Sequence, residues 1–281
     1  MLAWIVFANR WQGMEIAIRS AAVSNPSAEL QIAVPAEENE TRVPSKLKEY
    51  MIRLPATLQC PSCWVTRLAC MQRALLASAK GRRVVLLEAD QFISGSLSPA
   101  FSMPRGDFDV GLTFRDLSAH GPINSGVMVI NGVSDRVLNF FTLYIQTTET
   151  RFGGRCWSGD NQHALAELSG GFLGYGTIRR PVRPRGLQRA ATDVWDASGD
   201  CLRLLSLPCS EYNVAFKQSR CNHPALLMHR TSGGDGGPVH GSGQRLAQRV
   251  PRIFHFMGSN KAFQARCEAT LKNFSASMAS R

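Results

Sequence analysis

The sequence predicts an α/β protein with a mostly parallel central sheet flanked by helices. Three observations predict it. Short, largely apolar runs recur at Trp4–Ala8, Leu30–Val34 and Arg83–Leu87, and continuous rather than alternating runs suit strands covered on both faces. Two stretches with helical spacing, Glu15–Val23 and Thr66–Lys80, separate these runs. The resulting order, β-α-β-α-β, is what parallel strands joined by crossover helices produce.

Each element has a local reason. The helix Glu15–Val23 stops near Asn25-Pro26, and the strand Leu30–Val34 ends at Pro35. Glu37–Leu54 reads as a charged helix or loop. Thr66–Lys80 is the clearest helix: Leu68, Met71, Leu75 and Leu76 recur at helical spacing, and Lys80-Gly81 closes it. Further strands are expected at Phe108–Thr113, Val127–Asn131 and Leu202–Leu207, and further helices at Asp135–Tyr144 and Asn161–Leu168. Arg179–Gly199, rich in arginine, and Thr231–Gly243, rich in glycine, read as loops. Without an internal repeat or a clean linker, residues 1–281 read as one domain.

Bulk properties narrow the function classes. Lys and Arg number 32 against 21 Asp and Glu, a net charge of +11. That balance favours anionic partners or simply solubility, and does not choose among nucleotides, acidic glycans, nucleic acid and membrane surfaces. No nucleic-acid-binding motif accompanies it, so no nucleic-acid partner is expected. The eight cysteines are dispersed through 281 residues, unlike a disulfide scaffold. Cys60-Pro61-Ser62-Cys63 could be half of a zinc site with Cys201, Cys209, Cys221 or His223, but no second Cys-x-x-Cys supports it. The start, Met1–Phe7, lacks a basic lead-in and is a poor signal peptide. With no apolar run of spanning length, a cytoplasmic protein is expected, with peripheral membrane contact as an option.

Four constellations could carry chemistry. Glu88-Ala89-Asp90 follows the Leu86-Leu87 strand, at the carboxyl end where ligands of such sheets bind. Two acids there could hold magnesium or manganese; alternatively Asp90 caps a following helix and Glu88 is solvated. His255-Phe256-Met257-Gly258-Ser259-Asn260-Lys261 offers an imidazole, a glycine turn and an ammonium suited to a metal and a diphosphate, or a structural histidine. Asn124-Ser125-Gly126 leads into a buried strand, either to recognise sugar hydroxyls or as an ordinary turn. Gly159-Asp160-Asn161-Gln162 precedes a helix, with Asp160 as an N-cap or as a carboxylate facing a substrate.

Together, in this order, these elements resemble the family 8 retaining glycosyltransferases, which include glycogenin and bacterial lipopolysaccharide galactosyl- and glucosyltransferases. The resemblance runs from about Trp4 to Phe263 and is most specific at His-Phe-x-Gly-x-x-Lys and Asn-Ser-Gly-Val-Met-Val. Thr66-Arg67-Leu68 is similar to the family's Thr-Lys-Leu. The resemblance implies a GT-A nucleotide-diphospho-sugar transferase fold, with residues 1–115 as the nucleotide half, 116–265 as the sugar and acceptor half and 266–281 as a helix or tail. It also implies transfer from a UDP-hexose, with retention, to a glycan, lipid or protein acceptor. Manganese, or else magnesium, would be held by Glu88, Asp90 and His255. Ala8, Asn9, Arg67, Ala89, Ser125, Gly258 and Lys261 would line the donor site, and Asn124, Asp160 and Gln162 would surround the reacting sugar.

Departures from the family pattern are specific. The first acid is Glu88 rather than aspartate. The family's Asp-Gln pair corresponds either to Asp160-Asn161-Gln162 with one extra residue or to Asn161-Gln162 with the acid lost. Ala262-Phe263 replaces Pro-Trp after Lys261. These departures motivate an alternative: a catalytically weak or inactive protein of the same fold that binds sugar nucleotides.

Overall fold

A computed structural model of the chain describes residues 1–6, 11–35, 43–54, 64–101, 108–114, 123–152, 160–168, 191–195, 201–208, 212, 214–216 and 252–256. In chain order the elements are β1 (Leu2–Val6), α1 (Trp11–Ser24), β2 (Glu29–Pro35), a 3-10 helix (Ser45–Tyr50), β3 (Met51–Leu54), α2 (Trp64–Ala77), β4 (Val84–Glu88) and β5 (Gln91–Ile93). A second 3-10 helix (Ser98–Phe101), β6 (Val110–Phe114), β7 (Ile123–Ile130), α3 (Asp135–Phe152) and α4 (Asp160–Leu168) follow. The described chain ends with β8 (Ala191–Trp195), β9 (Cys201–Pro208), β10 (Val214–Phe216) and β11 (Ile253–Phe256).

Eight strands form one sheet in the order β3-β2-β1-β4-β7-β6-β9-β8. The β1–β2, β2–β3, β1–β4 and β6–β9 pairings are parallel, while β4–β7, β6–β7 and β8–β9 are antiparallel. Side-chain alternation sorts the strands onto two cores. Leu2, Trp4, Val84 and Leu86 face the layer built by α2, α3 and α4. Ala3, Ile5, Val85 and Leu87 face the layer of α1 and the Ser98–Phe101 turn. Every residue of β4 and β7 is buried, as expected for central strands covered on both faces. Trp4 donates its indole N–H to Ser78 Oγ at 3.0 Å, tying β1 to the end of α2. Gly81 then takes the positive φ (76°) that a turn after a helix needs.

Several boundaries differ from the sequence expectation. β3 lies within the stretch Glu37–Leu54, and β8 within Arg179–Gly199. Both are short strands at the two edges of the sheet, where among the described residues one side has no partner strand to demand an apolar run. Helix α1 starts at Trp11, earlier than Glu15, and α3 continues to Phe152, beyond Tyr144. The stretch Thr231–Gly243, the Cys60–Cys63 pair and residues 266–281 lie outside the described residues.

β5, β10 and β11 make a second, three-stranded sheet. It is anchored by α1: Ser20 Oγ accepts from Ile93 N at 3.0 Å, and Ser24 Oγ donates to Ile93 O at 2.8 Å. This small sheet brings the late part of the chain to the carboxyl end of β4. No described helix is long and apolar enough to cross a membrane.

Candidate active site

The site grows from the end of β4. Alternation along Val84, Leu86 and Glu88 turns the Glu88 side chain towards α2, α3 and α4. There it is buried, with a side chain 6% exposed. Burying a carboxylate is unfavourable unless an opposite charge or hydrogen bonds compensate. Arg67, in the first turn of α2, brings its Nη1 to 3.9 Å from Glu88 Oε1. The two residues therefore form one interior ion pair at the strand end.

Ala89-Asp90 makes a turn, and β5 begins at Gln91. No helix follows Asp90, so the helix-cap alternative for this residue does not hold. Ala89 is buried and Asp90 half-buried. Across the small sheet, β11 runs antiparallel to β5 with His255 opposite Gln91, next to Asp90. Opposed residues in such a pair have Cα atoms roughly 4.5–5.5 Å apart. Residues 88, 90 and 255, remote in sequence, thus have their backbones at one corner of the fold. The His255 side chain is not among those described. Among the described residues, no three His, Cys, Asp or Glu gather as a metal-binding group. Glu88 and Asp90 themselves offer the hard oxygen donors that magnesium or manganese take.

A second group of polar residues lies on the α4 face. Asn161 Nδ2 donates to Ser125 Oγ at 2.7 Å, linking α4 to β7. The Tyr144 hydroxyl of α3 belongs to the same group. Burial pushes its ionisation far above that of an ordinary phenol; the Glu88 charge adds to the shift, and the neighbouring Ser125 and Asn161 side chains oppose it. Arg67, Glu88, Ser125, Tyr144 and Asn161 therefore meet from α2, β4, β7, α3 and α4. Asn124, also buried, accepts the Gly126 N–H on Oδ1 at 2.7 Å, while Thr113 Oγ1 donates to its carbonyl at 3.0 Å. Gln91 Nε2 donates to Gly126 O at 2.7 Å, joining the small sheet to β7, which already includes Asn124-Ser125-Gly126 as strand rather than turn. Gln162 is buried beside Asn161.

The remaining sequence candidates are less defined. Asp160 starts α4, but its side chain is outside the described set, as are residues Ala8, Asn9, Gly258 and Lys261.

Three contributors had no clear signal in the sequence. Gln91 belongs to a strand of three residues, too short for periodicity to reveal. Tyr144 sits on an apolar helix face with Val137, Phe140 and Phe141, where it resembles any core aromatic. Gly13 packs against the acidic turn: a Cβ there would lie 2.8 Å from Ala89 O. Backbone cannot yield as a flexible side chain does, so Gly13→Ala is expected to push α1 and the Glu88–Asp90 turn apart. The expected cost is about 1–3 kcal/mol, with weaker metal-dependent ligand binding than wild type. Urea denaturation and metal titration of this variant check both effects; wild-type values for the two would remove Gly13 from the site.

No family model and no curated protein sequence matches the chain. Solved structures do. The galactosyltransferase LgtC, solved with donor and acceptor sugar analogues, is 13% identical, with a TM-score of 0.53, covering 99% of this chain and 96% of that one. The fold is of the GT-A type. The glycosyltransferase GlyE of Streptococcus pneumoniae TIGR4 is 12% identical, with a TM-score of 0.52 over 98% of this chain. This chain spans only 59% of GlyE. At such identities the likeness speaks for architecture, and the chemistry has to be argued from the residues.

Proposed function

We propose that the chain is a metal-dependent glycosyltransferase that moves a hexose from a UDP-sugar to a glycan, lipid-linked or protein acceptor, with retention of configuration. One observation carries the reading: the register of β5 and β11 sets residue 255 beside the acidic turn after β4. In an open α/β sheet that strand end is where ligands bind. The donor and acceptor sugar analogues bound by LgtC agree with a nucleotide-sugar donor and a sugar acceptor.

Glu88, Asp90 and His255 would hold the cation. A divalent ion bound there supplies positive charge to the leaving diphosphate. Arg67, held by Glu88, adds a fixed cation at the same strand end, and Lys261 would add a second. Ser125, Asn124 and Gln162, with Asp160, would hold the sugar ring while the acceptor hydroxyl approaches the anomeric carbon. The buried setting strengthens each of these contacts by excluding water.

A screen of nucleotide sugars for metal-dependent hydrolysis and thermal stabilisation tests the proposal. Stabilisation by UDP-sugars only with manganese or magnesium supports it. Absence of any nucleotide binding rejects it, and binding without sugar release favours a sugar-nucleotide-binding protein, the reading that Asn161 in the α4 cluster motivates. Lys261→Ala is expected to weaken UDP binding by about 1–3 kcal/mol, the scale of a charge-assisted contact. Calorimetry is the measurement, and unchanged affinity would separate Lys261 from the diphosphate.

A further inference from the structure

We propose that Gln91 is a positioning residue for sugar transfer: its side chain holds the 124–126 segment of β7 against the Asp90 turn, so that sugar and cation meet in reacting geometry. This inference rests on the transferase reading above and gives a role to a residue which that reading leaves without one.

The observation behind it is a break in the main sheet. Towards β6, the register passes from Leu112 opposite Met128 directly to Thr113 opposite Asn124, skipping Ser125, Gly126 and Val127. Towards β4, it runs from Val84 opposite Ile130 to Leu87 opposite Val127 and ends there. Ser125 and Gly126 therefore stand outside both registers. A buried peptide group outside the ladder has to be satisfied in another way, and here side chains do it. Thr113 Oγ1 donates to Asn124 O at 3.0 Å, and Asn124 Oδ1 accepts the Gly126 N–H at 2.7 Å. Gln91 Nε2 reaches over from the second sheet and donates to Gly126 O at 2.7 Å. Breaks of this kind re-aim side chains next to active sites. The side chain re-aimed here is that of Ser125, whose Oγ accepts from Asn161 on α4.

Chemistry accounts for the residue type. A carbonyl oxygen only accepts, so its partner must donate, and at 1% exposure a neutral donor is favoured over a charged one. The amide is not the cheapest side chain for this strand. Its neighbours Phe92 and Ile93 are buried apolar residues, and Gln91 Oε1 is itself buried with no hydrogen-bond partner. What the amide adds over an aliphatic side chain is the bond to Gly126.

Position decides what that bond does. Gln91 follows Asp90 directly, and its backbone is paired with that of His255. Replacing the side chain leaves both links intact, so the cation corner keeps its place. The group released is the Gly126 carbonyl, and with it the setting of Asn124 and Ser125. The expected defect is therefore selective. Metal and diphosphate bind as before, while the sugar sits away from reacting geometry, where a displacement of about 1 Å already costs much of the rate.

Sugar release by the full chain with manganese tests the inference, beside calorimetry of UDP. The probes are UDP-glucose, UDP-galactose and UDP-N-acetylglucosamine. Gln91→Met keeps the length of the side chain without its donor. It is expected to lower kcat at least about tenfold, with KM changed by less than about threefold and UDP affinity unchanged. Gln91→Asn keeps the amide but falls one methylene short; it is expected to act in the same direction and covers the case in which Gln91→Met does not fold. Because Gln91 acts through the segment that carries Ser125, adding Ser125→Ala to the folded Gln91 variant is expected to cost no more than the larger single loss, whereas independent defects multiply. A role in stability alone predicts a lower melting temperature with wild-type kinetics, and that result would overturn the inference. So would equal losses of UDP affinity and kcat, or losses that multiply in the double variant. If the wild type releases sugar from none of the probes, the transferase reading itself falls, and this inference with it.

Discussion

Replacing Asp90 by alanine is expected to abolish metal-dependent donor binding and to reduce turnover by at least about a hundredfold, while the protein stays folded. The separation of the two effects follows from position. Asp90 is half-buried in the turn between β4 and β5, not in either core cluster. Losing its carboxylate creates no core cavity, so the stability change is expected to stay below about 1 kcal/mol. The electrostatic loss is of another order. A cation held at the diphosphate stabilises charge that develops during bond breaking, and each 1.4 kcal/mol lost there is about tenfold in rate. Manganese titration followed by a donor-hydrolysis assay gives the answer, with thermal melts as the control for folding. Wild-type metal affinity and wild-type turnover in a folded Asp90→Ala protein would remove this residue from the site.

Much of the scaffold around Asp90 is legible in the sequence because its elements are long or continuously apolar. Leu68, Met71 and Leu75 mark α2, and Val84–Leu87 marks β4, through periodicities that survive any tertiary context. The acidic pair itself is legible as a strand-end motif, although sequence alone leaves the choice between ligand and helix cap open. That choice turns on β5, a three-residue strand whose existence depends on pairing with β11, more than 150 positions later. Such pairings leave no local trace. The same holds for Gly13, whose role is a contact with a carbonyl on another element, and for Tyr144, which differs from its aromatic neighbours only by one hydroxyl. At Asp160-Asn161-Gln162, sequence allows two registers for the sugar-facing residue. The bond from Asn161 to Ser125 puts the amide inside the cluster, a fact that only side-chain direction on α4 reveals.

Arg67→Met carries the largest expected effect on stability, about 3 kcal/mol, because it leaves Glu88 as a buried carboxylate without its counter-ion. Methionine keeps most of the aliphatic stem, so lost packing contributes little. Two further measurements separate this cause from a general core defect. The double variant Arg67→Met with Glu88→Gln removes both charges and is expected to recover much of the stability, since replacing a buried ion pair entirely is often close to neutral. Manganese is expected to stabilise Arg67→Met more than it stabilises wild type: with the guanidinium gone, a cation at the acidic turn compensates the Glu88 charge in its place. Ligand-linked stabilisation of this kind grows with metal concentration as binding to the folded state requires. Urea denaturation of the four proteins, each with and without manganese, measures the whole set. Equal metal stabilisation of Arg67→Met and wild type would mean that Glu88 serves the arginine alone, leaving Asp90 and His255 as the residues of this corner available to a cation.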